Sequence, residues 1–281
     1  MAVSKQTDVE IYYELRGPSW GEPLVMIHGL GAQLIDWHPD LVAGLESAGF
    51  RLIMLDNRDQ GRSGDSDPHT QYAIADMAAD TRGVLDELAI ERAHFIGISM
   101  GALISQEFAV SYPERTLSQL LMCTMCAPRF DRVAAAVAAG QASRPIDPGA
   151  PREEYIELLA QQRFKTSGTG LSLDWVRRAA AASYDRAHRP TGVARQLHAV
   201  RTYGDRLTEL ATTAAVTTIF HGRDDAVVDV EGAIALARAI PGADLHMYGG
   251  VGHEVPPFLW PDIIRMLERN VQRSKHLATK P

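Results

Sequence analysis

The sequence predicts an α/β fold: a mostly parallel central sheet flanked by helices and interrupted by one helical insertion. Three observations point to it. Short apolar runs of the fully buried, parallel-strand kind recur, such as Leu24-Val25-Met26-Ile27 and Leu52-Ile53-Met54-Leu55. Segments with apolar residues at helical spacing alternate with them. The alternation lapses over residues 127–213, which are alanine-rich and helical, and resumes near Val216.

The elements follow in order. Residues 9–14 (VEIYYE) alternate and read as a strand. The run Leu24 to Ile27 stops at His28-Gly29-Leu30-Gly31, and a helix is expected from about Pro39 to Ala48, closed by Gly49. Strand Leu52 to Leu55 leads into a polar loop, residues 56–68. A helix over 72–88 is marked by Ile74, Met77, Val84, Leu85 and Leu88. Strand His94-Phe95-Ile96 runs into Gly97-Ile98-Ser99-Met100-Gly101, then a helix to about Ser111 and a strand from Leu117 to Met122. After the insertion come strand Val216 to Phe220, helix 231–239, strand Asp244 to Tyr248 and a helix over about 260–272. Three parts are expected: core 1–126, helical cap 127–213, core 214–281.

Composition bounds the function. The chain has 281 residues, 46% hydrophobic and 22% charged, with 28 Lys and Arg against 35 Asp and Glu, a net charge of −7. That excludes disordered and fibrous classes and argues against nucleic acid as the main partner, since phosphate binding needs a concentrated basic face. No run is long enough to span a membrane, and Met1-Ala2-Val3-Ser4-Lys5 lacks a signal-peptide core, so a cytoplasmic location is expected. The two cysteines, Cys123 and Cys126, end a strand and read as small packing residues, not a redox pair or zinc site.

Gly97-Ile98-Ser99-Met100-Gly101 fits G-x-S-x-G at the end of a strand and the start of a helix, the setting of a nucleophile elbow. A serine hydroxyl needs a neighbouring base. Of the ten histidines, His28 comes too early for the order Ser, acid, His. His38, His69, His188, His198 and His276 read as surface or helix positions, and His94, His221 and His246 belong to strands. His253 remains, in the glycine-rich loop Gly249-Gly250-Val251-Gly252-His253. The orienting acid should follow strand Val216 to Phe220, where Asp224 and Asp225 both stand. Spacing alone does not separate them. No Asp or Glu occurs over residues 117–130 to offer an alternative.

With these motifs on the page, the sequence resembles the α/β-hydrolase superfamily over nearly its whole length. The resemblance rests on His28-Gly29-Leu30-Gly31, the run Asp56-Asn57-Arg58-Asp59-Gln60-Gly61-Arg62-Ser63, the Ser99 turn, Gly222-Arg223-Asp224-Asp225 and Gly252-His253. The superfamily's Gly-x-x-Asp spacing selects Asp225. Within it the chain is similar to the carboxylesterase group that includes aclacinomycin methylesterase. This similarity is carried by Tyr184-Asp185-Arg186, Gly192-Val193-Ala194-Arg195-Gln196-Leu197 and Ile240-Pro241-Gly242-Ala243-Asp244-Leu245, while His28-Gly29-Leu30 departs from that group's glycine-rich loop.

The resemblance implies ester hydrolysis by Ser99, His253 and Asp225, with backbone N–H groups of Leu30 and Met100 as oxyanion donors and no metal or organic cofactor. Trp37, Met125 and Trp175 are expected near the pocket entrance, against an apolar acyl or alcohol group. The expected partner is a small-molecule ester and, at most, a second copy of the chain. Three alternatives stay open: a C–C bond hydrolase, an enol-lactone hydrolase, and a binding protein or receptor on the same fold.

Overall fold

The computed structural model describes residues 2–126 and 146–279. Residues 127–145, where the expected cap begins, lie outside the described residues. Eight strands form one sheet: β1 (Ala2–Ser4), β2 (Ile11–Arg16), β3 (Glu22–Ile27), β4 (Phe50–Leu55), β5 (Ala93–Ile98), β6 (Thr116–Met122), β7 (Val216–Gly222) and β8 (Asp244–Tyr248). Their order is β1-β2-β4-β3-β5-β6-β7-β8. The β1–β2 and β2–β4 pairs are antiparallel and the others parallel.

The helices are α1 (Pro39–Ser47), α2 (Ile74–Glu87), α3 (Met100–Ser111), α4 (Arg152–Thr166), α5 (Leu173–Arg186), α6 (Pro190–Thr202), α7 (Leu207–Leu210), α8 (Val230–Ala239) and α9 (Trp260–Ala278). Alternating side chains of the central strands enter different cores. Ile96, Leu120, Met122 and Phe220 meet α1 and α9, whereas Phe95, Leu121 and Ile219 meet α2, α3 and α8 on the other face. Both faces are therefore covered, which is why these strands read as continuous apolar runs. Helices α4 to α7 fall between β6 and β7 in the chain, and α4 and α5 share a small core of Ile156, Ala160, Val176 and Ala180. Among the described residues no helix is long and apolar enough to cross a membrane.

Two elements depart from expectation. Strand β1 is too short to show a periodic signal. Helix α9 runs to Ala278 and not to about 272: its apolar stripe of Ile263, Met266, Leu267 and Val271 ends there, but a polar tail continues. Lys275 and His276 in its last turn suit the negative end of the helix dipole.

The topology places the site. Chain order reverses between β3 and β5, because β4 lies to one side of β3 and β5 to the other. The loops after these two strands diverge and leave a crevice at the carboxyl ends, where ligands of such sheets bind. The loop after β4 joins the core to the insertion. Asp56 pairs with Arg186 at 2.7 Å and Asp59 with Arg195 at 2.7 Å, both carboxylates fully buried. From the same loop Arg58 forms a buried two-pronged ion pair with Asp80 of α2 at 2.6 and 2.7 Å.

Removing one member of a buried pair leaves the other charge unpaired in low dielectric. Asp80→Ala is expected to lower stability in urea unfolding by about 3–5 kcal/mol. Asp8, which touches the same guanidinium from an exposed position, should cost less than about 1 kcal/mol on change to alanine.

Candidate active site

The turn from β5 to α3 carries Ser99 at φ +55°, ψ −119°. A non-glycine residue there is strained by about 1–3 kcal/mol and persists only when its surroundings dictate it. The surroundings do. A Cβ on Gly97 would stand 2.4 Å from the Gly101 carbonyl oxygen, and one on Gly101 would stand 2.1 Å from that of Ile27. Only glycines let α3 start this close to the ends of β3 and β5. The Ser99 N–H donates to the Met122 carbonyl at 2.9 Å, anchoring the turn on β6. Among the described residues nothing accepts from the N–H of Leu30, in the loop after β3, or of Met100, the first residue of α3.

Neighbouring strands β7 and β8 bring the other two residues together. His253 Nδ1 lies 2.7 Å from Asp225 Oδ2. The second Asp225 oxygen accepts from the N–H groups of Val227 at 2.8 Å and Val228 at 2.9 Å. Asp224 points elsewhere, accepting from the Gly250 N–H. The ambiguity that spacing left is thus resolved by geometry: Asp225 is the carboxylate on the imidazole. Burial pushes its carboxyl up, but the His253 charge and hydrogen bond, with the backbone donors, outweigh it and hold it below the usual range. Burial likewise pulls the His253 ring down, and the Asp225 partner overrides this to leave it above its ordinary value. The insertion supports the imidazole through backbone bonds: His253 N–H to the Thr166 carbonyl at 2.7 Å, Gly252 N–H to Ser167 at 3.0 Å, Thr169 N–H to Gly250 at 2.8 Å.

Ser99, His253 and Leu30 all line one cavity of about 410 Å³. Three charged residues that sequence reasoning did not single out share it. Arg163, from α4, reaches Asp36 at 2.9 Å and Glu254 at 3.0 Å. Burial opposes its charge, and the two carboxylates more than restore it. These residues are far apart in sequence, and only the adjacency of Glu254 to His253 gave a local hint. His28 also lines the cavity, its ring 4.8 Å from that of Trp37, and burial lowers its basicity.

Trp37 and Trp175 line a smaller adjoining space of about 30 Å³ with His38, beside the cavity that holds Ser99. His38, the N-cap of α1, is half-buried there, its ring tilted against those of Trp175 at 4.6 Å and Trp260 at 4.2 Å. Met100 is buried beneath the turn and Met125 is buried with its carbonyl accepting from Gln106, neither among the residues lining the Ser99 cavity. Cys123 and Cys126 are free thiols. Among the described residues, Cys123, Asp225 and His253 form the one group of potential metal ligands, within 4.8 Å of one another. Burial, then the nearby Asp225 and Glu254 charges, push the Cys123 thiol well up. A cation there would need the thiolate and would displace the 2.7 Å Asp225–His253 bond, so the donor set suits hydrogen bonding better than coordination.

The family model described as alpha/beta hydrolase fold matches residues 22–258. The chain belongs to the α/β-hydrolase fold family. Among its α/β-hydrolase relatives is a protein of Variovorax paradoxus, provisionally named a carbamate hydrolase, RutD; it is 31% identical over 255 residues, covering 87% of this chain and 90% of that one. A 2-hydroxy-6-oxononadienedioate/2-hydroxy-6-oxononatrienedioate hydrolase of Burkholderia vietnamiensis is 29% identical, covering 89% and 87%. In fold, the chain matches the α/β-hydrolase esterase RhEst1 from Rhodococcus sp. ECU1013 with a TM-score of 0.79 at 22% identity, over 96% and 98% of the two chains.

The electrostatics of the pair give a direct check. An NMR titration of His253 is expected to show a midpoint above the ordinary imidazole value of 6.5. Asp225→Asn removes the charge that favours the imidazolium and should bring the midpoint down, and Asp224→Asn should move it far less.

Proposed function

We propose that this chain is a serine hydrolase of carboxylic esters. The observation that carries the reading is that a hydrogen-bonded Asp225–His253 pair and a strained, glycine-flanked Ser99 open onto one cavity. With Nδ1 bonded to Asp225, neutral His253 presents Nε2 as a base. It takes the Ser99 proton as Oγ bonds to the ester carbonyl carbon, and the carbonyl oxygen becomes an oxyanion facing the N–H groups of Leu30 and Met100. Asp225 fixes the tautomer and stabilises the imidazolium. The proton then passes to the departing alcohol, the acyl group stays on Oγ, and water, deprotonated by His253, releases it as the acid.

Charge at the cavity favours neutral esters. Arg163 is the one guanidinium or ammonium among the described residues lining it, and it is already engaged by Asp36 and Glu254. A substrate bearing a carboxylate there meets two negative groups for one positive. The substrate named for the Burkholderia relative is a dicarboxylate. This ranks the C–C hydrolase reading below the ester reading. A binding role on the same fold does not require a serine held in strained backbone on the cavity that His253 also lines. The strain supports the enzyme reading.

Two experiments test the proposal. A fluorophosphonate probe is expected to label Ser99, and Ser99→Ala should abolish turnover of short aryl esters; labelling at a different serine refutes the assignment. In a panel of neutral esters, carbamates, lactones and dienone acids, neutral esters should give the highest kcat/KM. Its acid limb should have a midpoint above 6.5, because the neutral His253 needed as base is lost as pH falls through that group's raised pKa. The oxyanion donors are tested separately. Leu30→Pro deletes one N–H and should lower kcat about 10²–10³-fold in folded protein, whereas Leu30→Ala should keep most of it.

A further inference from the structure

We infer that Gln196, in the insertion helix α6, is a positioning residue that sets the oxyanion loop for the reaction proposed above, on which the inference rests. Gln196 is fully buried. Its Oε1 accepts from the Gly31 N–H at 2.9 Å, and its Nε2 donates to the Arg58 carbonyl at 2.9 Å. One amide thereby joins three segments: the loop after β3, the loop after β4 and the insertion. The other contacts of α6 share this orientation. Arg195 pairs with Asp59, and a Cβ on Gly192 would stand 2.0 Å from the Asp59 carbonyl oxygen, so the helix lies directly on the β4 loop.

The loop that Gln196 holds is a four-residue turn, closed by the Ala32 N–H donating to the Gly29 carbonyl at 3.2 Å. Gly31, its third residue, has φ +71°, the left-handed value that a type II turn requires there. Such a turn competes with a form in which the central peptide is flipped. Here the central peptide is the Leu30–Gly31 bond, and the Gln196 oxygen accepts from its N–H. A flip would bring the Leu30 carbonyl oxygen toward Oε1, two acceptors face to face. Gln196 therefore fixes the flip state of the peptide that follows Leu30 and ties the turn that carries the Leu30 N–H to α6. Val193, on the same face of α6, closes the remaining space: a Cβ on Gly31 would meet its methyl at 3.2 Å. A donor used in the transition state is only as well placed as the groups behind it.

The test uses the whole chain with Gln196→Met, which removes both hydrogen bonds at similar volume, and Gln196→Asn, a milder change that withdraws the amide from both partners. Turnover is taken per fluorophosphonate-labelled site, so unfolded protein does not count. Each variant is expected to lower kcat about 10–100-fold, short of outright donor loss, with KM within about threefold. The loss should be the same for short and long acyl esters, and the acid limb should stay in place because the His253–Asp225 pair is untouched. In a Leu30→Pro background, where the donor is already gone, the Gln196 changes should have little further effect. Wild-type kcat per labelled site with only a lower Tm overturns the inference, as does a full additional loss in the Leu30→Pro background. Failure of the ester-hydrolase reading looks different, since the wild-type chain itself would then lack Ser99-dependent turnover of esters, whatever Gln196 does.

Discussion

The close approach of backbone to backbone at the ends of β3 and β5 is the constraint on which the rest of this molecule depends. Helix α3 begins where the Ile27 carbonyl leaves no space for a side chain on Gly101. That contact forces Ser99 into the left-handed region and lifts its side chain out of the sheet. It also places the loop after β3 against the serine, where the Leu30 N–H has no acceptor of its own among the described residues. The strain at Ser99 is borne by β5, buried along all six of its residues, and by the neighbouring β3 and β6 that hold it on either side. A large, two-faced core is what makes a locally unfavourable turn sustainable.

The second organising element is a carboxylate kept charged in a dry place. Asp225 is out of reach of water, and burial alone would favour its protonated form. It remains ionised because both of its oxygens have directed partners: two backbone N–H groups on one and the imidazole on the other. The same surroundings act in reverse on Cys123, where burial and the Asp225 and Glu254 charges outweigh a single backbone hydrogen bond from Gly222 and hold the thiol protonated. Identical surroundings thus give one group its charge and deny it to its neighbour, and hydrogen-bond geometry makes the difference.

Most of the fold could be read from the sequence because its signals are local. Apolar runs mark β3 to β7, and the glycines around Ser99 mark a turn whose sterics require them. His253 emerged by elimination from strand and helix histidines. The choice between Asp224 and Asp225 came only with the family resemblance, since both follow β7 and the local sequence does not say which carboxylate reaches His253 and which the Gly250 N–H. Nor was the Arg163 cluster legible: Asp36, Arg163 and Glu254 come from three distant segments, and a basic residue in a charged helix resembles its solvated neighbours. Gln196 was visible only as part of a resembling segment, because its role lies in two hydrogen bonds to backbone atoms that no pattern of side chains announces. The packing of His38 against Trp175 and Trp260 was not legible for a similar reason, since both rings come from elsewhere in the chain.

The backbone bonds between residues 166–169 and 250–253 carry a consequence for attempts to shorten this protein. Excising the segment between β6 and β7 and splicing the strands together looks harmless on a topology diagram, since all eight strands would survive with their registers. The excised piece, however, supplies the carbonyls that hold the N–H groups of Gly252 and His253. A trimmed chain would keep its sheet and its serine turn, yet leave the Gly252 and His253 N–H groups behind the imidazole without their acceptors. Any shortened version of this protein therefore has to keep residues 166–169 against the loop after β8.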